Sequence, residues 1–170
     1  MDHFARLGLP AALDLELASL DRAYFTLQRQ WHPDRFVAKP PQERARASVE
    51  AAALNDAYRT LKDPLSRAVY LATLRGVELP GDGKTIDDPE LLMEAMEMRE
   101  ALQEADTGQA VDRLAGRVRE DMTAALGSLG TLFLANDKPA IRKAILRLRY
   151  LDKFAEEARA RRTNLERSRA

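Results

Sequence analysis

Cysteine is absent from this 170-residue chain, and only two histidines occur, His3 and His32. Without thiols there is no disulfide framework, no thiolate nucleophile and no Cys-ligated zinc or iron–sulfur site. Two histidines leave no material for a multi-histidine metal centre. Excess charge is missing too: 27 basic residues balance 27 acidic ones. That argues against a protein held on nucleic acid by bulk charge, which needs a surplus of phosphate-neutralising cations. No apolar run approaches the ~20 residues that span a bilayer. The opening MDHFARLGLP has neither the basic nor the apolar region of a secretory signal. These absences lead to the expectation of a cytoplasmic protein without cofactor or metal, and with neither nucleic acid nor membrane as partner. β-Branched residues are sparse and no period-2 strand stands out, so a sheet is not expected either.

What remains favours helix. Ala, Leu, Arg and Glu dominate. A short helix over about 2–8 ends at Gly8 and Pro10. A second, about 16–31, carries Leu17, Leu20, Tyr24, Leu27 and Trp31 in steps of 3 and 4 on one face. Pro33 stops it, because the residue before proline is pushed out of the helical region. A third helix over about 41–62 places Ala47, Ala51, Leu54, Tyr58 and Leu61 together. Asp63-Pro64 caps and starts a fourth, which continues to about Leu74. Residues 75–87 hold three glycines and a proline and read as a linker. Asp88-Pro89 opens a helix to about Asp106. Two more, about 109–135 and 138–167, complete an antiparallel three-helix bundle. Residues 82–106 carry nine acids and two bases, and residues 139–170 ten bases and four acids. The simplest account is that these helices complement each other within the bundle.

The stretch LDRAYFTLQRQWHPDR ends its helix in the turn His32, Pro33, Asp34. On its own the tripeptide is a proline-stopped helix with a histidine near its negative dipole end. In context, Leu20, Ala23, Tyr24, Leu27, Trp31 and then His32-Pro33-Asp34-Arg35 resemble the second helix and loop of a J-domain. LNDAYRTLKDPLSRAVY resembles the end of that family's third helix and its fourth. The resemblance implies a four-helix module over 1–74 in which His32, Pro33 and Asp34 engage a DnaK-class chaperone ATPase and stimulate it. Arg22, Arg29 and Arg35 are expected to steer the turn toward an acidic groove. Phe25, Thr26 and Gln30 stand where J-domains often carry Lys or Arg, which points to a dedicated chaperone partner.

In PELLMEAMEMREALQEAD, the residues Leu91, Ala95, Met98, Leu102 and Ala105 already form a complete core seam. At ~100° per residue, Leu92, Met93 and Met96 project away from it, bordered by Glu97, Glu100 and Glu104. Methionines often merely fill a core, but here the core face is already supplied. An apolar patch rimmed by carboxylates suits a protein partner. Tyr150 lies off the last helix's seam of Ile141, Ala144, Leu148, Leu151 and Ala155, so it is expected to be exposed.

The J-domain, the LLMEAMEMREAL segment and the later RLRYLDKF segment together resemble the HscB-type iron–sulfur co-chaperones. That resemblance implies an all-α, L-shaped protein: a J-domain (1–74), a linker (75–87) and a three-helix bundle (88–170). It further implies that the bundle binds the IscU-type scaffold protein through Leu92, Met93, Met96, Glu97, Glu100, Glu104 and Tyr150. The J-domain would then deliver the scaffold to an HscA-type chaperone ATPase. With no thiol, the chain would act on the protein that holds the cluster. Two other readings remain open from sequence: a J-domain co-chaperone for a different client, and an enzyme using His32 and Asp34 as base and orienter. The enzyme lacks a Ser or Cys nucleophile beside the motif.

Overall fold

The structure, a computed structural model, describes residues 1–81 and 86–168. Residues 82–85, within the stretch expected to be a linker, and residues 169–170 lie outside the described residues. All regular elements among the described residues are helical: α1 (His3–Arg6), α2 (Leu17–Trp31), a 3-10 turn (Pro33–Phe36), α3 (Pro41–Lys62), α4 (Pro64–Leu74), α5 (Pro89–Glu104), α6 (Gly108–Ala135) and α7 (Lys138–Arg167). The chain divides into two compact units, Met1–Leu71 and Ala72–Ala170.

In the first unit, α2 and α3 form an antiparallel hairpin. The Tyr58 hydroxyl donates to Asp21 at 2.7 Å, the Tyr24 hydroxyl donates to Asn55 at 2.8 Å, and Arg46 lies 5.5 Å from the Trp31 ring. Rising numbers on one helix meet falling numbers on the other. Leu20, Ala47, Leu54, Ala57 and Leu61 are buried in this unit, as are Phe4 and Leu7 from α1 and its C-terminal cap. Burying each of the leucines and Phe4 stabilises by about 1.5–3 kcal/mol. Asp63 caps α4 by accepting the Ser66 N–H at 2.7 Å, and Pro64 occupies the first turn, where no N–H is needed. The sequence expectation placed Leu17 on the buried face of α2. It stands instead at the first position of the helix, 47% exposed.

In the second unit, α5, α6 and α7 pack as a bundle. Glu94 meets Arg147 and Arg99 meets Glu157, so α5 and α7 run parallel. Asp112 meets Arg162 and Asp121 meets Arg147, so α6 runs antiparallel to α7. Leu91, Leu102, Val111, Val118, Leu129, Phe133, Ile141, Ile145, Leu148, Leu151 and Phe154 are buried. Each helix has a side-chain N-cap: Asp88 for α5, Thr107 for α6 and Asp137 for α7. Asn136 adopts the left-handed conformation (φ 51°) that ends α6, a position where asparagine is among the few tolerated residues. The described residues of the expected linker are tied to α7. Val77 is buried, Arg142 donates to the Glu78 carbonyl at 3.2 Å, and Arg149 donates to the Pro80 carbonyl at 2.7 Å.

Candidate functional site

The first candidate site is the turn that follows α2. His32 has extended backbone (φ −60°, ψ 128°), as a residue before proline must, and Pro33 starts a short 3-10 turn. The Asp34 N–H donates to His32 Nδ1 at 3.3 Å, and the Asp34 carboxylate lies 3.6 Å from the same nitrogen. With Nδ1 accepting, a neutral ring carries its proton on Nε2, which is left to donate elsewhere. The turn is braced from behind. Trp31 and Phe36 stack with centroids 6.0 Å apart and planes 3° from parallel, and Arg46 of α3 covers Trp31. His32, Pro33, Asp34 and Arg35 are all exposed. An imidazole, a carboxylate and a rigid backbone are thus presented with little entropy left to lose on binding.

The three arginines expected beside this turn take different parts. Arg22 and Arg29 lie exposed on the outer face of α2. Arg22 is held loosely by Ser19 at 2.9 Å and by Glu16 at 3.8 Å, and Arg29 has no carboxylate partner among the described residues. Arg35 turns back and donates to the Arg29 carbonyl at 3.1 Å. It thereby satisfies an orphan acceptor at the negative end of α2, a capping role that spacing alone did not reveal. The brace formed by Trp31, Phe36 and Arg46 was also missed, because its members come from three elements.

The second candidate site is the outer face of α5. Leu91, Ala95, Met98, Leu102 and Ala105 point into the bundle, as their spacing predicts. Leu92, Met93 and Met96 are 39%, 66% and 63% exposed. The acids on and before this helix fall into two groups. Asp87 pairs with Arg142, Asp88 and Glu90 with Lys143, and Glu94 with Arg147. The Arg142 hydrogen bond holds the Asp87 carboxyl below its usual range, and the backbone N–H of Leu91 does the same for Asp88. Glu97, Glu100 and Glu104, by contrast, are exposed, and among the described residues no cation pairs with them. They border the apolar patch.

Tyr150 corrects the sequence reading. It was expected to be exposed, but it is only partly accessible and packs on the cluster of Leu102, Val111, Leu151 and Phe154. α7 contacts both α5 and α6, so its buried arc is wider than a single seam. Ile145, Leu146 and Phe154 are buried with the seam residues, and Tyr150 falls at the edge of that arc. Its hydroxyl is buried beside Glu94 and Arg147. It makes no well-formed hydrogen bond, yet both groups lie near enough to act on it. Burial pushes the phenol well above its ordinary value. Arg147 binds Glu94 through two nitrogens at 2.7–3.1 Å and keeps that carboxyl below the usual glutamate range. This clamp fixes the α5 turn that bears Met93 and Met96. Its sequence signal was available: Glu90 and Glu94 are four apart, as are Lys143 and Arg147.

An antiparallel helical hairpin ending in a braced, exposed His-Pro-Asp turn defines a J-domain, and this chain is a J-domain co-chaperone. Residues 2–70 match the DnaJ domain family, and residues 87–159 match the family described as the HSCB C-terminal oligomerisation domain. The chain is 43% identical over 159 residues to the co-chaperone protein HscB homolog of Cupriavidus taiwanensis, covering 92% of this chain and 90% of the relative. Among solved structures it resembles chaperone HscB from Vibrio cholerae, with 33% identity, TM-score 0.84, and 97% and 99% of the two chains covered. It also resembles human co-chaperone protein HscB, with 28% identity, TM-score 0.88, and 94% and 81% covered. The chain belongs to the HscB co-chaperone family, and its place is in iron–sulfur cluster assembly. Among the described residues no helix is long and apolar enough to cross a membrane.

Proposed function

We propose that this protein is a two-faced adaptor. The outer face of α5 binds an IscU-type iron–sulfur scaffold, and the His32-Pro33-Asp34 turn engages an HscA-type chaperone ATPase and stimulates its ATP hydrolysis. One observation carries the scaffold half: the patch of Leu92, Met93 and Met96 stays exposed after the bundle core is complete, and its rim acids have no internal partner. An exposed cluster of large apolar side chains costs solubility unless something covers it. Unpaired carboxylates around it favour a basic partner and suppress acidic ones.

Mechanistically, the chain supplies binding and geometry. Leu92, Met93 and Met96 provide the area removed from water, and Glu97, Glu100 and Glu104 steer the encounter. Tyr150 contributes from beneath, by holding the packing of α7 against α5. At the turn, Asp34 offers a carboxylate for a charge-assisted hydrogen bond, and His32 Nε2 offers a donor. Pro33 fixes their separation. Arg22 and Arg29 supply the matching positive field, and Arg35 locks the end of α2 on which the turn sits. This chain's own role in ATP hydrolysis is to change the state of the chaperone that performs it.

The test is reconstitution with purified scaffold and chaperone. Calorimetry should detect a saturable complex with the scaffold, and ATP turnover by the chaperone should rise when both proteins are added. Absence of a complex with any cluster scaffold, alongside intact ATPase stimulation, would replace the scaffold by a different client.

A further inference from the structure

The J-domain carries an exposed side chain that the HPD reading does not use. Phe25 stands on the outer face of α2, half its surface in water. Arg22, Phe25 and Arg29 follow one another at helical spacing along that face, and the same line runs on to the His32 turn. The phenyl ring rests on a stiff aromatic base. Tyr24 and Tyr58 stack with centroids 4.0 Å apart, and Phe25 leans on them at 5.2 and 6.5 Å. The base is tied down independently of Phe25, because Tyr24 donates to Asn55 at 2.8 Å and Tyr58 donates to Asp21 at 2.7 Å. Lys62 donates to the Tyr58 oxygen at 2.6 Å. The core of the hairpin, Leu20, Leu54, Ala57 and Leu61, is closed without it.

We propose that Phe25 is an apolar anchor for the chaperone ATPase and selects a chaperone whose docking surface places an apolar pocket among carboxylates. This rests on the reading that the HPD turn engages such an ATPase. The flanking Arg22 and Arg29 state the charge of the occupant: a guanidinium on each side of a phenyl ring fits an acidic surface with an apolar centre. Continuity with the His32 turn places Phe25 in the same contact. A pre-ordered ring gives up little freedom on docking, the property that makes aromatic anchors efficient. A chaperone whose surface sets carboxylates alone opposite this ring would bury them unpaired, and would be rejected.

The experiment titrates the full-length protein into the purified HscA-type chaperone and reads steady-state ATP turnover at low and high salt. Phe25→Ala should raise the half-saturating concentration roughly tenfold, leave the maximal stimulation unchanged, and keep this effect at high salt, whereas the Arg29→Ala effect should shrink there. Phe25→Leu should restore most of the affinity. Phe25→Lys, whose methylene stem still covers the tyrosine base, should lose it, so a folding defect in the alanine variant leaves the idea open to refutation. Unchanged half-saturation in Phe25→Lys or Phe25→Ala overturns the proposal. Asp34→Ala serves as the separate control: if it stimulates fully, the HPD reading has failed, whatever Phe25 does.

Discussion

The two units present their candidate sites by opposite means. In the first, three consecutive residues form the site and the backbone itself sets its geometry. Pro33 fixes φ, His32 is forced to extended dihedrals, and an Asp34 N–H closes the turn on the His32 ring. In the second, the site is a helix face assembled from residues three and four apart. Its position depends on distant partners: Lys143, Arg147, Glu157 and Arg161 hold α5 in place. α5 buries only Leu91 and Leu102 among its large side chains, so charged contacts carry an unusual share of its attachment. A locally encoded polar site and a globally positioned apolar one should therefore fail differently when perturbed.

The largest expected effect is at the turn. Asp34→Ala should abolish stimulation of the chaperone ATPase without shifting the melting temperature, because Asp34 is exposed and its loss leaves no buried group unpaired. Scaffold binding, measured by calorimetry on the same preparation, should be unchanged. A loss of both functions, or a cooperative unfolding shift, would erase the distinction between the two sites.

Next in size is the α5 patch. Truncating an apolar interface anchor costs about 1–3 kcal/mol. The triple variant Leu92→Ala, Met93→Ala, Met96→Ala should thus lose two or more decades of scaffold affinity while keeping its helical content and stability. ATPase stimulation in the absence of scaffold should be unaffected. A collapsed melting curve would mean that the patch supports the bundle rather than a partner.

The third prediction concerns how α5 is held. Arg147 keeps the folded-state pKa of Glu94 below its unfolded value near 4.5. The unfolded chain therefore takes up a proton before the folded chain does, so stability rises with pH through this window. The contribution is complete above the ordinary glutamate range and drains away as pH falls through the lower folded value. Since both partners are about one-third exposed, the pair is worth about 1 kcal/mol after allowance for solvent. Glu94→Gln should lower stability by that amount at pH 7 and flatten the acid limb of the melting-temperature profile, from the ordinary glutamate range downward. A profile of unchanged slope would show that other carboxylates govern it.

The contrast between the sites also explains what the sequence revealed. The turn was legible because each rule involved is local: proline geometry, helix termination, residue spacing. The α5 face was legible because Leu91 to Ala105 account for the core and leave Leu92, Met93 and Met96 over. The charge asymmetry between residues 82–106 and 139–170 foretold the pairing of α5 with α7 in kind, though not which acids would stay unpaired. Tyr150 was misplaced because helical periodicity counts one neighbour, and α7 has two. The contact of Arg35 with the end of α2 was not legible, because nothing in the order of residues says that a side chain of the turn will fold back onto the preceding helix. In both cases a contact between elements decided the outcome.

The smallest effect, and the finest test of the comparison, lies in the rim acids. Glu97, Glu100 and Glu104 are exposed and have no internal cation among the described residues, so changing all three to glutamine removes no internal contact of the bundle. Their work is long-range. At 0.1 M salt the screening length is about 10 Å, at 0.01 M about 30 Å, so three carboxylates attract a basic scaffold well before contact only when salt is low. The triple glutamine variant should therefore slow association several-fold at low salt and hardly at all above 0.3 M, with dissociation little changed. Stopped-flow mixing with the scaffold across a salt series separates the two rates. Slower association that persists at high salt, or dissociation that quickens, would make the acids direct contact residues. The α5 face would then resemble the turn, a site read through point charges rather than through buried area.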